Sequence, residues 1–260
     1  MPERTSYKPG TPSWVDVSSP DTDAAASFYG DLFGWDCSEP APVEQTGGYR
    51  MFTKGGKAVA GLGPVQQEGM PPLWTTYVTV EDAEATAAKV KEAGGQAFME
   101  PMDVLKFGRM AVFADSTGAA FAVWQPGEHI GSEVVNESGT LCWNELDTRD
   151  VEGAKKFYSD VFGWDYEPMP MGDSEYITAK LGDDGVAGIM AINDQFPPDV
   201  PNNWLTYIAV DDTDATTARV NELGGKTVVE PMDSPAGRFA CLADPHGAVF
   251  GVVAMNGSAA

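Results

Sequence analysis

The chain is written twice. WVDVSSPDTDAAASFYGDLFGW (14–35) reads against WNELDTRDVEGAKKFYSDVFGW (143–164), and the correspondence returns downstream in TTYVTVEDAEATAAKVKEAGG (75–95) against LTYIAVDDTDATTARVNELGG (205–225). EPMD recurs at 100–103 and 230–233, and FADSTGAAF (113–121) matches LADPHGAVF (242–250). A repeat of this length makes each copy a folding unit with its own core, so the 260 residues are expected to form two domains. We place these at 8–126 and 139–255, joined by a linker at 127–138 whose sequence, GEHIGSEVVNES, has no apolar period of its own.

Within each copy the pattern starts over. A short strand (13–18; 142–147) leads through a Pro/Asp or Arg/Asp turn into a helix with Ala25, Phe28, Tyr29, Leu32 and Phe33 at helical spacing, matched by Ala154, Phe157, Tyr158, Val161 and Phe162. Gly34 and Gly163 stop these helices, and three Gly/Pro-broken strand runs follow. A second strand, LWTTYVTV, then opens a second helix near Asp82, and further strands are expected near 96–100, 109–114 and 119–125. Each copy is therefore βαβββ twice, an α+β chain of four such units. EPMD is expected in a loop at the lip of any cavity.

Lys+Arg 16 against Asp+Glu 39 gives a net charge of −23, which repels a phosphate backbone or an anionic bilayer. Neither nucleic acid nor membrane is an expected partner. The absence of a long apolar run and of an apolar leader in MPERTSYKPG leads us to expect a cytoplasmic protein. Three cysteines without CxxC spacing favour neither a disulfide framework nor a thiolate metal site. No GxSxG, GxxxxGK[ST] or GxGxxG occurs, so no nucleotide or flavin cofactor is expected.

The strand–turn–FYGDLFGW and FYSDVFGW segments, the AGG and LGG helix ends and the DSTGAAF and DPHGAVF hairpins together resemble the vicinal oxygen chelate superfamily, the glyoxalase, bleomycin-resistance and extradiol-dioxygenase group. More closely, the chain resembles two-domain actinobacterial glyoxalase-like proteins that carry a hydroxylase label. The resemblance implies that each domain is a cupped, eight-stranded, incompletely closed barrel, and that metal-dependent members hold a divalent ion on His or Glu from the first and fifth strands and Glu from the fourth and eighth. At the matching places stand Trp14 and Trp143, Thr75 and Leu205, and Ala122 and Gly251, while VAGLGPV (59–65) and VAGIMAI (186–192) contain no carboxylate. With only two histidines, His129 in the linker and His246 in a hairpin, no metal is expected.

Residues two apart share a strand face, so Trp14 with Asp16, and Trp143 with Glu145, pair an indole with an acid. Tyr77 and Tyr207 on the fifth strand, Thr75 beside Tyr77, and Trp124 add to an aromatic wall of the kind that lines a ligand pocket. Arg109 and Arg238, each after a glycine, are expected to meet a ligand oxygen or the strand acid. The expectation is a metal-free protein, monomer or weak homodimer, binding an apolar or aromatic, polyketide-like small molecule. The alternative is a metal-free oxygenase, hydroxylase, lyase or isomerase in which Asp16 or Glu145 is the catalytic base.

Overall fold

Four aspartates begin the four long helices. In the computed structural model, which describes residues 3–66, 69–171, 174–194 and 196–256, the Asp21 carboxylate accepts from the backbone N–H groups of Asp23 (3.1 Å) and Ala24 (2.9 Å). Asp82, Asp150 and Asp212 cap in the same way, each accepting from the N–H three residues on, which satisfies donors that a helix start leaves open. Gly34 and Gly163 end their helices with φ of 70° and 74°, the left-handed conformation that glycine adopts without strain.

The first copy runs β1 (Pro12–Ser19), α1 (Thr22–Phe33), β2 (Asp36–Cys37), α2 (Val43–Thr46), β3 (Arg50–Lys54), β4 (Lys57–Pro64), β5 (Leu73–Thr79), α3 (Ala83–Glu92), β6 (Gln96–Val104), β7 (Gly108–Ala114) and β8 (Ala120–Pro126). The second runs β9 (Leu141–Thr148), α4 (Val151–Phe162), β10 (Asp165–Met171), β11 (Ser174–Leu181), β12 (Asp184–Ala191), β13 (Asn203–Ala209), α5 (Thr213–Glu222), β14 (Lys226–Ser234), β15 (Gly237–Ala243) and β16 (Val249–Met255). Each copy forms one eight-stranded mixed sheet, β2-β3-β4-β1-β5-β8-β7-β6 and β10-β11-β12-β9-β13-β16-β15-β14. The end strands of each sheet stay unpaired with one another, so the sheets are curved and open rather than closed barrels. EPMD lies inside the edge strands β6 and β14 and not in loops, the edge being where a strand proline is tolerated. Met102 is nevertheless cross-strand partner to Met110 and Met232 to Phe239, and both methionines remain exposed.

Strand alternation gives each sheet two distinct faces. One buries Val15, Val17, Phe52 and Leu62 with Phe28, Tyr29 and Phe33 of α1, and this cluster continues into the second copy through Ile208, Leu242, Phe250 and Val252. Its counterpart joins Val80, Phe113, Phe121 and Val123 to Leu146, Phe157, Tyr158, Trp164 and Ile189. The helical faces of the two sheets therefore share two cores, each built from one half of either domain. Truncating one of these buried phenylalanines to alanine costs about 3–5 kcal/mol.

Polar pins lock the join. Tyr29 donates to Asp244 Oδ2 at 3.1 Å and accepts from Trp74 Nε1 at 3.1 Å. Tyr158 donates to Asp115 Oδ2 at 2.8 Å and accepts from Trp204 Nε1 at 2.9 Å. The other oxygen of each aspartate closes a hairpin turn, Asp115 accepting from the N–H groups of Thr117 and Ala119 and Asp244 from those of His246, Gly247 and Ala248.

The connector between the copies is packed, not a loose tether. His129 N–H donates to Phe107 O, Ser132 N–H to Ser13 O and Glu133 N–H to Ala58 O, so the segment is bound along the first sheet.

Candidate functional site

The faces turned away from the helices, the cups of the two sheets, carry clusters of their own. Trp14, Ala58, Tyr77, Ala122 and Trp124 cluster in the first cup with Met51, Met110 and Val112, and Leu205, Tyr207, Cys241 and Val253 in the second with Cys142, Trp143 and Phe239. Period-two alternation on β1 and β9 carries Asp16 and Glu145 to the same faces as Trp14 and Trp143.

In the first cup Asp16 is held by two tyrosines. Tyr77 OH donates to Asp16 Oδ2 at 2.8 Å and Tyr49 OH donates to the same oxygen at 3.0 Å, while Tyr49 accepts from Trp14 Nε1 at 3.0 Å. Loss of water pushes the Asp16 carboxyl up to about 6, and the hydroxyls of Tyr77, Tyr49 and Thr75 pull it part of the way back. The second cup repeats the arrangement: Trp143 Nε1 donates to Tyr176 OH at 2.7 Å, Tyr207 OH donates to Glu145 Oε1 at 3.1 Å, and Tyr176 also hydrogen-bonds Glu145. Burial raises Glu145 as well, opposed by those two hydroxyls. The phenols are held neutral, first by burial and then by the adjacent carboxylate.

Backbone register makes room for the tyrosines. Asp16 is paired across the sheet with Gly61, and Glu145 with Gly188. A Cβ on either glycine would lie 1.8 Å from the hydroxyl of Tyr49 or Tyr176. Sequence reading missed both tyrosines. The legible signal was that Tyr49 precedes Gly61, and Tyr176 precedes Gly188, by the same twelve residues.

The cups differ at their indoles. His129 from the connector sits edge-on against Trp14, ring centroids 4.4 Å apart, and against Trp124 at 5.6 Å, and its carbonyl accepts from Trp124 Nε1 at 2.8 Å. Burial lowers the imidazole to about 4, a shift opposed by nearby Glu133, and Nε2 has no hydrogen-bond partner. Trp14 is only 3% exposed beneath it. Trp143 has no aromatic neighbour of this kind among the described residues and stays partly exposed, and Val253 stands where the first cup has Trp124.

Of the residues expected at a site, Trp14, Asp16, Thr75, Tyr77 and Trp124 come together in one cup, and Trp143, Glu145 and Tyr207 in the other. Arg109 and Arg238 do not join them. They alternate with the cup-facing Met110 and Phe239, which turns them toward the helices, where Arg109 pairs with Glu84 (2.9 Å) and Asp103 (3.0 Å) and Arg238 with Asp214 (2.5 Å) and Asp233 (3.1 Å). Those pairs hold the ends of α3 and α5 against the edge hairpins.

The donor set does not fit the divalent ion that the resemblance implies. Trp14 and Trp143 offer indoles, Ala122 and Gly251 offer nothing, and Asp16 already accepts from two phenols. Among the described residues no three His, Cys, Asp or Glu side chains converge, whereas hard divalent ions need about six oxygens. Also among the described residues, no helix is long and apolar enough to cross a membrane.

Known proteins show where this architecture recurs. The chain is 45% identical over 259 residues to CFP32 of Mycobacterium tuberculosis, covering 97% of this chain and 98% of that protein. It is 41% identical over 269 residues to the anthracycline biosynthesis protein DnrV of Streptomyces peucetius, covering 97% and 96%. Among solved structures, the Mn(II)-bound glyoxalase from Novosphingobium aromaticivorans shares the fold at a TM-score of 0.66 and 18% identity, over 95% of this chain and 82% of that one. Residues 11–123 and 143–252 each match the Glyoxalase/Bleomycin resistance protein/Dioxygenase superfamily, and the chain belongs to that superfamily as a tandem, two-domain member.

Proposed function

We propose that the protein binds planar, largely apolar aromatic molecules in its two cups without a divalent ion, for sequestration, delivery or tailoring of a secondary metabolite. The observation that carries this reading is the repeated indole–phenol–carboxylate chain, Trp14–Tyr49–Asp16–Tyr77 and Trp143–Tyr176–Glu145–Tyr207, standing on the sheet face away from the helices. Aromatic walls supply the apolar contact area, and the clamped carboxyl supplies one directional polar anchor. Kinship with DnrV, named for anthracycline biosynthesis, supports a polycyclic aromatic occupant. That the two domains bury their helical faces against each other supports a monomer or weak dimer as the assembly. Titrating protein freed of metal by chelation with 2-naphthol and 1,8-dihydroxyanthraquinone, followed by tryptophan fluorescence, tests the reading. Saturable quenching supports it, and no quenching by any planar aromatic contradicts it.

A second reading rests on the raised carboxyl of Asp16. A carboxyl near 6 is mostly ionised at neutral pH yet holds a proton more tightly than an ordinary carboxylate, as suits a general base. In a metal-free hydroxylase, oxygenase, lyase or isomerase, Asp16 or Glu145 would take a proton from an acidic C–H or phenolic O–H of the ligand. Asp16→Asn and Glu145→Gln then abolish turnover while retaining binding. Under the binding reading the same changes alter affinity alone.

A further inference from the structure

The second cup carries an acid that the first lacks. On β9 the cup-facing series is Trp143, Glu145, Asp147; on β1 the same positions are Trp14, Asp16 and Ser18. Glu145 is 5% exposed and Asp147 7%. The Asp147 carboxyl accepts no hydrogen bond from the described residues. Its charge is felt by Tyr176, Tyr207 and Cys241, which places it among the cup residues, and burial followed by the Glu145 charge raises its own carboxyl well above the usual range.

No cation of the protein answers this pair among the described residues. Lys180 is engaged by Glu167, Lys155 by Glu152, Arg238 by Asp214 and Asp233, and Arg149 by the carbonyls of Pro198 and Val200. Two desolvated carboxyls with no counter-charge hold a proton instead of both ionising, and a cation lying between them takes that proton's place. Residues i and i+2 of a strand are about 6.6 Å apart, a gap that an ammonium nitrogen can bridge with one hydrogen bond to each side. Trp143 and Tyr176 stand on the same face, and aromatic rings attract such a cation. A divalent metal is the poorer match, because two carboxylates fall well short of the oxygens it needs.

We infer that the second cup is a site for an organic ammonium ion, its protonated amine held between Glu145 and Asp147 and its apolar body against Trp143, Tyr176 and Val253. This rests on the reading of the cups as ligand pockets and adds that the two cups differ in the ligand charge they accept.

The test compares tyramine with tyrosol, its neutral hydroxyl counterpart, by isothermal titration at pH 7.5. Tyramine is expected to bind about tenfold more tightly or better, corresponding to about 1.4 kcal/mol. Asp147→Asn, and Asp147→Ser as the residue of the first cup, are expected to bring tyramine affinity down to that of tyrosol. Equal affinity for the two probes overturns the ammonium site while leaving the pocket reading intact, as does a preference that survives both Asp147 changes. Failure of tyramine to bind, with 2-naphthol binding normally, has the same meaning. If nothing binds, both readings fall.

Discussion

Tyr77 donates its phenolic proton to Asp16 at 2.8 Å on the floor of the first cup, and Tyr49 donates to the same oxygen at 3.0 Å. Two neutral donors on one desolvated acid leave its charged form only partly compensated. Asp16 therefore binds a proton more tightly in the folded chain, at about 6, than in the unfolded one, near 3.8. Its contribution to stability is complete below about pH 4 and is lost as the pH rises through 6. Asp16→Asn, which still accepts from both tyrosines, is expected to gain on the order of 2 kcal/mol over wild type at pH 7.5 and nothing at pH 3.5. Urea unfolding at the two pH values checks this, and an equal difference at both would contradict it.

His129 has the opposite sign. Its imidazole titrates near 4 in the fold against 6.5 outside it, so its contribution is present above pH 6.5 and disappears as the pH falls through 4. His129→Phe keeps an aromatic ring on Trp14 and Trp124 and is expected to flatten this acid-side loss. His129→Ala uncovers both indoles, which acrylamide quenching of tryptophan fluorescence should report as at least a doubling of their accessible fraction.

Gly61 and Gly188 exist to admit a hydroxyl. Alanine at either position collides with Tyr49 or Tyr176, expelling the phenol from its carboxylate. Each substitution is expected to destabilise by about 1–3 kcal/mol, the range for a buried polar group that loses its partner, and Gly61→Ala in a Tyr49→Phe background should cost less than in wild type. A thermodynamic cycle measured by thermal unfolding settles the coupling; additive effects would contradict the contact.

Tyr29→Phe and Tyr158→Phe each leave a buried aspartate oxygen on the opposite domain without its donor. A loss of about 1–3 kcal/mol each is expected, with one cooperative unfolding transition because the cores are shared between the copies. Two separate calorimetric transitions in wild type would show that the domains fold independently.

The tandem fold was legible because helix period, aspartate caps and glycine stops agree with one another in both copies, and the indole–acid pairs at 14/16 and 143/145 follow from alternation alone. Tyr49 and Tyr176 were not legible by that route. They reach Asp16 and Glu145 laterally, across β4 and β12, and lateral neighbours depend on strand pairing, of which the shared twelve-residue Tyr–Gly interval is the trace left in the sequence. Arg109 and Arg238 show the converse: a glycine before an arginine says nothing about face, and it was the cup-side placement of Met110 and Phe239 that turned both guanidinium groups toward the helices. The connector looks like a polar linker in sequence because the two residues it buries in the core, Val134 and Val135, are adjacent and not periodic, and much of the rest of its hold is backbone hydrogen bonds.

The most direct test of the central claim is the stoichiometry and affinity of 1,8-dihydroxyanthraquinone binding to protein dialysed against EDTA, measured beside the same protein resupplied with Mn²⁺ or Zn²⁺. The account predicts saturable binding that is unchanged by either ion and weakened by Trp143→Ala. Binding that appears only once a stoichiometric metal is restored would contradict it.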